Sequence, residues 1–239
     1  APFDNVNVRK ALNLSLDRNV ITDKVLGQGQ TPTYVFTPTY IEEGHLIQQP
    51  AYSKEPMAQR NEEAIKLLEE AGYSKANPLK FSILYNTNEN HKKVAIAAAS
   101  MWKANTKGLI DVKLENQEWK TYIDSRRAGR YDAARAGWNA DYNQATTFGN
   151  YFLSNSSNNT AKYANPEYDK AIAESYVATD AEGRAKAYAK AEEILAKDFG
   201  IVPIFNYVNP RLVKPYVKGY SGKDPQDHIY LRNLYIIKH

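Results

Sequence analysis

Cysteine is absent from the 239 residues. That excludes disulfides, thiolate metal sites and a cysteine nucleophile, and it leaves the cellular compartment open. Histidine is scarce, and the four residues at positions 45, 91, 228 and 239 share no paired spacing that a metal site would use. No apolar run approaches the roughly 20 residues of a membrane span. Basic blocks are missing too. The formal charge of +4 comes from Lys and Arg scattered among Asp and Glu, so nucleic acid and membrane surfaces are poor partners. There is no Gly-x-Ser-x-Gly elbow, and Gly27-Gln28-Gly29 lacks the further glycine and preceding strand of a phosphate-cradling loop. Enzyme readings therefore do poorly, with a carboxylate pair for glycoside hydrolysis the one catalytic alternative left open. The chain also opens without an initiator methionine, a charged n-region or an apolar h-region, which leads us to expect a piece of something longer.

What is present fits an ordinary globular protein. Hydrophobic residues make up 43% and charged residues 24%, enough to bury a core and too apolar for disorder. Tyrosine stands out, with 18 residues against 7 Phe. Its flat apolar face and hydroxyl suit a wet binding surface, though they also suit plain strands.

Periodicity predicts an α/β domain. Asp4 and Asn5 cap a helix over 6–12, and a second helix over 18–26 stops at Gly27. Residues 28–53, rich in Pro, Gly, Thr and Tyr, read as a long irregular excursion. An amphipathic helix over 62–71 closes at Gly72. A strand at 79–85, an alanine-rich helix at 91–105 and a strand at 110–114 form a βαβ unit. A helix at 119–128 leads into a strand at 131–136, and helices at 166–177 and 181–197 precede a strand at 201–205. Alternating helices and strands argue for a largely parallel sheet. From Asn209 onward, Pro210, Pro215, Pro225 and the turn string Gly219-Tyr220-Ser221-Gly222 replace helical patterning, ending in an extended stretch over 230–237.

The most informative run is Arg135-Ala136-Gly137-Trp138-Asn139-Ala140-Asp141-Tyr142. A short apolar strand breaks at a glycine and then presents a ring, an amide and a carboxylate at its mouth. Asp141 there could neutralise an ammonium group, and the strand edge could pair with an extended backbone; alternatively Asp141 is only a turn residue. In parallel sheets ligands collect at the C-terminal ends of strands. Those ends carry Asn86 to His91, Asn116 to Trp119, Gly137 to Asp141, and Asn206-Tyr207, with Arg126, Arg127 and Arg135 nearby. Singly, each has a plainer role: His91 as a cap, Trp119 and Trp138 as core rings, the arginines as a solvated face. Together they describe a polar, aromatic rim suited to a zwitterionic ligand.

Two segments carry a resemblance. Pro2-Phe3-Asp4-Asn5-Val6-Asn7-Val8-Arg9-Lys10-Ala11-Leu12 and Asp17-Arg18-Asn19-Val20-Ile21 resemble the v-R-x-A-l…D-R-x-x-I motif of the extracytoplasmic peptide-binding proteins that serve ABC importers. Asn116 to Thr121, Ala134 to Tyr142, and Arg211-Leu212-Val213-Lys214-Pro215 look like the oligopeptide-binding branch of that family. The resemblance implies a two-lobed receptor about twice this length, with the ligand enclosed between lobes. This chain would be its C-terminal half. Residues 1–208 would form a periplasmic-binding-protein type II-like lobe, α/β with a mixed, largely parallel sheet flanked by helices, and 209–239 a tail returning to the absent N-terminal lobe. It further implies a periplasmic, non-enzymatic protein of a Gram-negative bacterium, with no cofactor and no metal. The implied partners are the N-terminal half, a membrane ABC permease and short peptides of about two to five residues held by strand addition. Relatives tuned to murein tripeptide, dipeptide or haem are the alternative. By the same resemblance, Asp141 pairs with the peptide's α-ammonium and Gly137 and Asn139 meet its main chain. Arg126, Arg135 and His91 are then the cationic groups for its carboxylate, while Trp119, Trp138 and Tyr207 line side-chain pockets.

Overall fold

The computed structural model describes residues 2–222, 224 and 227–239; Ala1 and the tail proline Pro225 lie outside the described residues. The first helix, α1 (Val6–Leu14), starts where the Asn5 side chain accepts the Asn7 N–H at 2.9 Å, and it buries Val8, Ala11, Leu12 and Leu14. The helix predicted over 18–26 forms instead as a π-helical turn, Val20–Leu26, in which the Gly27 N–H reaches the Thr22 carbonyl at 2.8 Å. Gly27 stops it with φ +62°, a conformation that a glycine adopts without strain. The excursion after it contains only a two-residue strand, β1 (Thr31–Pro32), and a 3₁₀ turn, Ala51–Lys54. Helix α2 (Met57–Glu70) begins five residues earlier than its apolar stripe suggests, directly after Pro56.

The βαβ unit forms as predicted and runs longer. Strand β2 (Leu79–Asn86), helix α3 (Glu89–Asn105) and strand β3 (Ile110–Gln117) bring β2 and β3 into parallel register from Leu79↔Ile110 to Asn86↔Gln117. Asn116 and Gln117 therefore belong to the strand and not to the loop beyond it. Helix α4 (Trp119–Arg127) returns the chain to the other edge of β2, where the strand expected over 131–136 pairs only as β4 (Ala133–Ala134). The sheet order is β3-β2-β4, so β4 is an edge strand.

Beyond β4 a short helix, α5 (Thr146–Gly149), precedes α6 (Pro166–Val177) and α7 (Ala181–Lys197), both at their predicted bounds. The expected strand at 201–205 does not join the parallel sheet. Pro203 has no N–H to give a ladder, and its carbonyl accepts from the Arg18 guanidinium at 2.7 Å instead. Only β5 (Phe205–Asn206) pairs, antiparallel with β1. In the tail, β6 (Val217–Lys218) and β7 (Tyr235–Ile236) form a second small antiparallel ladder, and a 3₁₀ turn at Leu231–Asn233 interrupts the stretch expected to be extended. Leu212, Leu231, Tyr235 and Ile236 stand exposed there.

Two apolar cores result. One packs α1, α2 and α3 against β2 and β3; the other gathers Phe148, Tyr151, Phe152, Tyr168 and Tyr188 between α5, α6 and α7. The ends of the lobe are tied by polar side chains of α1 and its flank. Arg9 donates to the Asp198 carbonyl, Asn13 to that of Ile201, and the wholly buried Arg18 to that of Pro203, its guanidinium 4.0 Å from the Tyr34 ring centre. Glu192 of α7, also buried, accepts the backbone N–H groups of Phe36 and Thr37. Burial raises its pKa against the lowering effect of those bonds. Glu192→Gln would set an amide donor against one of those N–H donors. We expect a loss of about 1–3 kcal/mol in chemical denaturation; an unchanged midpoint would contradict this role.

Candidate functional site

A cleft of 1340 Å³ opens beside the free edge of β4. Its walls combine the chain that leaves β4, the aromatic core around Tyr151, and the extended segment that carries Phe205 and Tyr207. Six of the sequence-predicted site residues line it: Arg126, Arg135, Gly137, Trp138, Asn139 and Tyr207.

The chain leaves the sheet with one last ladder bond, Arg135 N–H to the Leu84 carbonyl at 2.8 Å. The Arg135 carbonyl is then taken by the Tyr122 hydroxyl, and its guanidinium donates to the Tyr207 hydroxyl at 2.5 Å. Gly137 lies against the same tyrosine. A β-carbon at position 137 would overlap the Tyr207 Oη, so no larger residue fits without moving the ring. Arg126 is held from behind: its Nη2 donates to Tyr151 Oη at 3.0 Å and to Thr160 Oγ1 at 2.9 Å. Its Nε is buried, with the Tyr122 ring centre 5.5 Å from the guanidinium. The cleft thus presents two guanidiniums on an apolar, aromatic wall.

The remaining three predicted residues do not line the cleft. Asp141 is exposed just past it. Its N–H donates to Thr147 Oγ1 at 3.1 Å, and that hydroxyl lies 3.3 Å from the carboxylate Oδ2. The Trp138 indole N–H points to the same oxygen at 3.5 Å. Trp119, 55% exposed, stacks over the buried Tyr122 at 5.8 Å. His91 pairs its Nδ1 with Asn86 Oδ1 at 2.8 Å. Burial, helped by the positive charge of Arg135, pushes its pKa down to about 4. His91 is therefore neutral near pH 7, which corrects the expectation of a cationic group: a proton there would be poorly solvated and would face a guanidinium.

Sequence reasoning missed the residues that hold the site from behind, chiefly Tyr122, Thr147, Tyr151 and Thr160. For Tyr122 a signal existed, since it lies four residues before Arg126 on one face of α4 and its ring centre is 5.5 Å from that guanidinium. Thr147 and Thr160 carry no comparable pattern. Among the described residues, no group of three or more His, Asp or Glu could hold a metal ion, and no helix is long and apolar enough to cross a membrane.

This geometry carries two expected outcomes. Gly137→Ala should swing Tyr207 away from Arg135 with little change in stability, because the ring is already 39% exposed; a crystal structure with Tyr207 unmoved would contradict the contact. His91 should titrate by NMR with a midpoint about 4, rising only in part in Arg135→Gln because burial is the larger cause. Because the unfolded chain takes up a proton that folded His91 resists, this residue costs stability as pH falls from 6.5 toward 4, and the loss is complete below that.

Comparison with known proteins places this arrangement. Residues 1–160 match the family described as bacterial extracellular solute-binding proteins, family 5 Middle. Over 239 residues the chain is 98% identical to the periplasmic oligopeptide-binding protein OppA of Haemophilus influenzae, covering 100% of this chain and 44% of that protein. A crystal structure of Haemophilus influenzae OppA in complex with RPPGFSPFR superposes with a TM-score of 0.93 at 97% identity, covering 100% of this chain and 46% of that one. The Escherichia coli murein tripeptide binding protein MppA does so with a TM-score of 0.90 at 44% identity, over 100% and 46%. The chain spans less than half the length of these relatives. It has their α/β, type II periplasmic-binding-protein architecture and belongs to family 5 of the bacterial extracellular solute-binding proteins.

Proposed function

We propose that this chain is the C-terminal half of a periplasmic receptor that captures oligopeptides with little sequence selectivity and delivers them to a membrane ABC permease. Residues 1–208 form the ligand-binding lobe and 209–239 return to the N-terminal lobe, whose surface would cover the exposed Leu231, Tyr235 and Ile236. The receptor performs no catalysis.

The observation that carries this reading is the free edge of β4 running straight into the cleft. An extended peptide laid along residues 135–139 would extend the sheet by main-chain hydrogen bonds, which give affinity without reading side chains. Asp141, at the far end of that track, takes the α-ammonium. Arg135 and Arg126 receive carboxylate, while Trp138 and Tyr207 form walls for side chains; His91 acts as a neutral hydrogen-bonding group. Trp119, exposed at the start of α4, contributes to a side-chain pocket only once the second lobe closes over it. The Haemophilus influenzae relative is crystallised with RPPGFSPFR, a longer peptide than the two to five residues expected from the sequence. That favours a cleft able to pass a chain of varied length, with the ammonium end as the fixed point.

In the full-length receptor, Asp141→Ala should weaken binding of a free-amine tripeptide by about 2 kcal/mol or more, as when one partner of an enclosed charge pair is truncated. Titration calorimetry checks this, and less than a tenfold loss would remove Asp141 from the site. Acetylating the peptide's N-terminus should cost the unmodified receptor far more than exchanging its second residue. The reverse order would point to a receptor tuned to one ligand.

A further inference from the structure

Asp141 sits on a loop with little regular structure, yet one hydroxyl orients both its backbone and its carboxylate. That hydroxyl belongs to Thr147, in the four-residue helix α5. Helix α5 is too short to be stable alone. What fixes it is a partly buried polar cluster, centred on Glu43, whose members do not line the cleft. Glu43, 5% exposed, accepts from Arg184 Nε at 2.7 Å and from Gln144 Nε2 at 2.9 Å. Gln144 Oε1 in turn accepts the Thr146 hydroxyl at 2.7 Å, which also meets the Tyr188 hydroxyl at 2.6 Å. The backbone repeats the join, with the Ala145 N–H donating to the Glu42 carbonyl at 2.9 Å.

Glu43 itself has φ +63°, a left-handed conformation that a residue with a β-carbon avoids unless its surroundings impose it. The excursion is thus bent at Glu43 to place a carboxylate between Arg184 of α7 and Gln144 of the Asp141 segment. Neither Gln144 nor Arg184 lines the cleft, so the cluster acts from outside it.

We propose that Glu43 is a positioning residue for ligand-terminus recognition: through Gln144, Thr146 and Thr147 it sets the direction in which Asp141 is presented. The inference rests on the reading that Asp141 takes a free ammonium group. It assigns a specificity role to a carboxylate that touches no ligand, and to an excursion whose composition suggested only a loop.

The test uses the full-length receptor. Glu43→Gln keeps the shape and removes the charge facing Arg184; Gln144→Met leaves the Glu43–Arg184 pair intact and breaks both bonds of the relay, from Glu43 to Gln144 and from Gln144 to Thr146. Calorimetry gives the affinity ratio of a free-amine tripeptide to its N-acetylated form, and hydrogen exchange gives the opening of the Asp141 amide. Both variants should lower that ratio by about 2- to 30-fold, the range for coupling through a side-chain network, and should speed exchange at Asp141. If both ligands weaken equally, or neither does, Glu43 is a structural residue and the proposal fails. Should Glu43→Gln fail to fold, Gln144→Met decides alone. If the unmodified receptor itself does not discriminate between the two ligands, the Asp141 reading falls and the proposal falls with it, an outcome distinct from discrimination that survives in both variants.

Discussion

The fold depends on supplying partners to the backbone of a long segment that has almost no ladder of its own. Residues 28–53 form only two strand residues and one 3₁₀ turn, so most of their N–H groups need partners from elsewhere. A buried carboxylate meets that need at Phe36 and Thr37, whose N–H groups Glu192 of α7 accepts. A second, Glu43, ties the segment to the rest by accepting from the side chains of Arg184 and Gln144. Phe36 can then wedge its ring among Phe148, Tyr151 and Phe152, with centroids 4.8 to 5.4 Å away. Tyr151, pinned in that cluster, is in turn the residue on which Arg126 and Trp138 rest. A charge in the interior thus stands behind an aromatic wall at the surface of the cleft.

The cleft itself exists because the sheet ends early. β4 pairs for two residues and then departs, leaving a strand edge that a second neighbour would otherwise cover. Gly137, just beyond it, has no side chain to displace the Tyr207 hydroxyl that packs against it. The two arginines differ in kind. Arg135 is braced by a single tyrosine hydroxyl, whereas Arg126 is anchored by its Nη2 to Tyr151 and Thr160 with its Nε buried.

Much of this was legible from residues alone, and the remainder was hidden for physical reasons. Helices α6 and α7 appeared at their true bounds because Asn165 and Asp180 cap them and their apolar spacing is regular. The βαβ unit was readable from alternation between periods. Helix α2 ran past its apolar stripe because Pro56 sets a start that hydrophobic spacing does not mark. The strand predicted over 201–205 failed on its proline, and β4 was overdrawn because an apolar run records burial, not pairing. The rim was legible because a parallel sheet gathers its strand ends on one side, and six of the residues on or beside those ends do line the cleft. Asp141 lies off the cleft because a loop's direction depends on contacts such as the one to Thr147 that no spacing rule encodes, and Trp119, at the start of α4, stacks on Tyr122 three residues on. The protonation of His91 was misjudged for a similar reason, since burial and a nearby arginine are facts of three dimensions.

The bonds from Arg9, Asn13 and Arg18 to the carbonyls of Asp198, Ile201 and Pro203 join residues 185 to 189 positions apart. The first helix of the lobe therefore cannot reach its final partners until the segment after α7 exists. Its apolar face can pack on α2, α3 and the sheet before then, but these polar bonds come last, and closing so wide a loop is entropically slow. The lobe is therefore sealed by its polar ties after its core has formed.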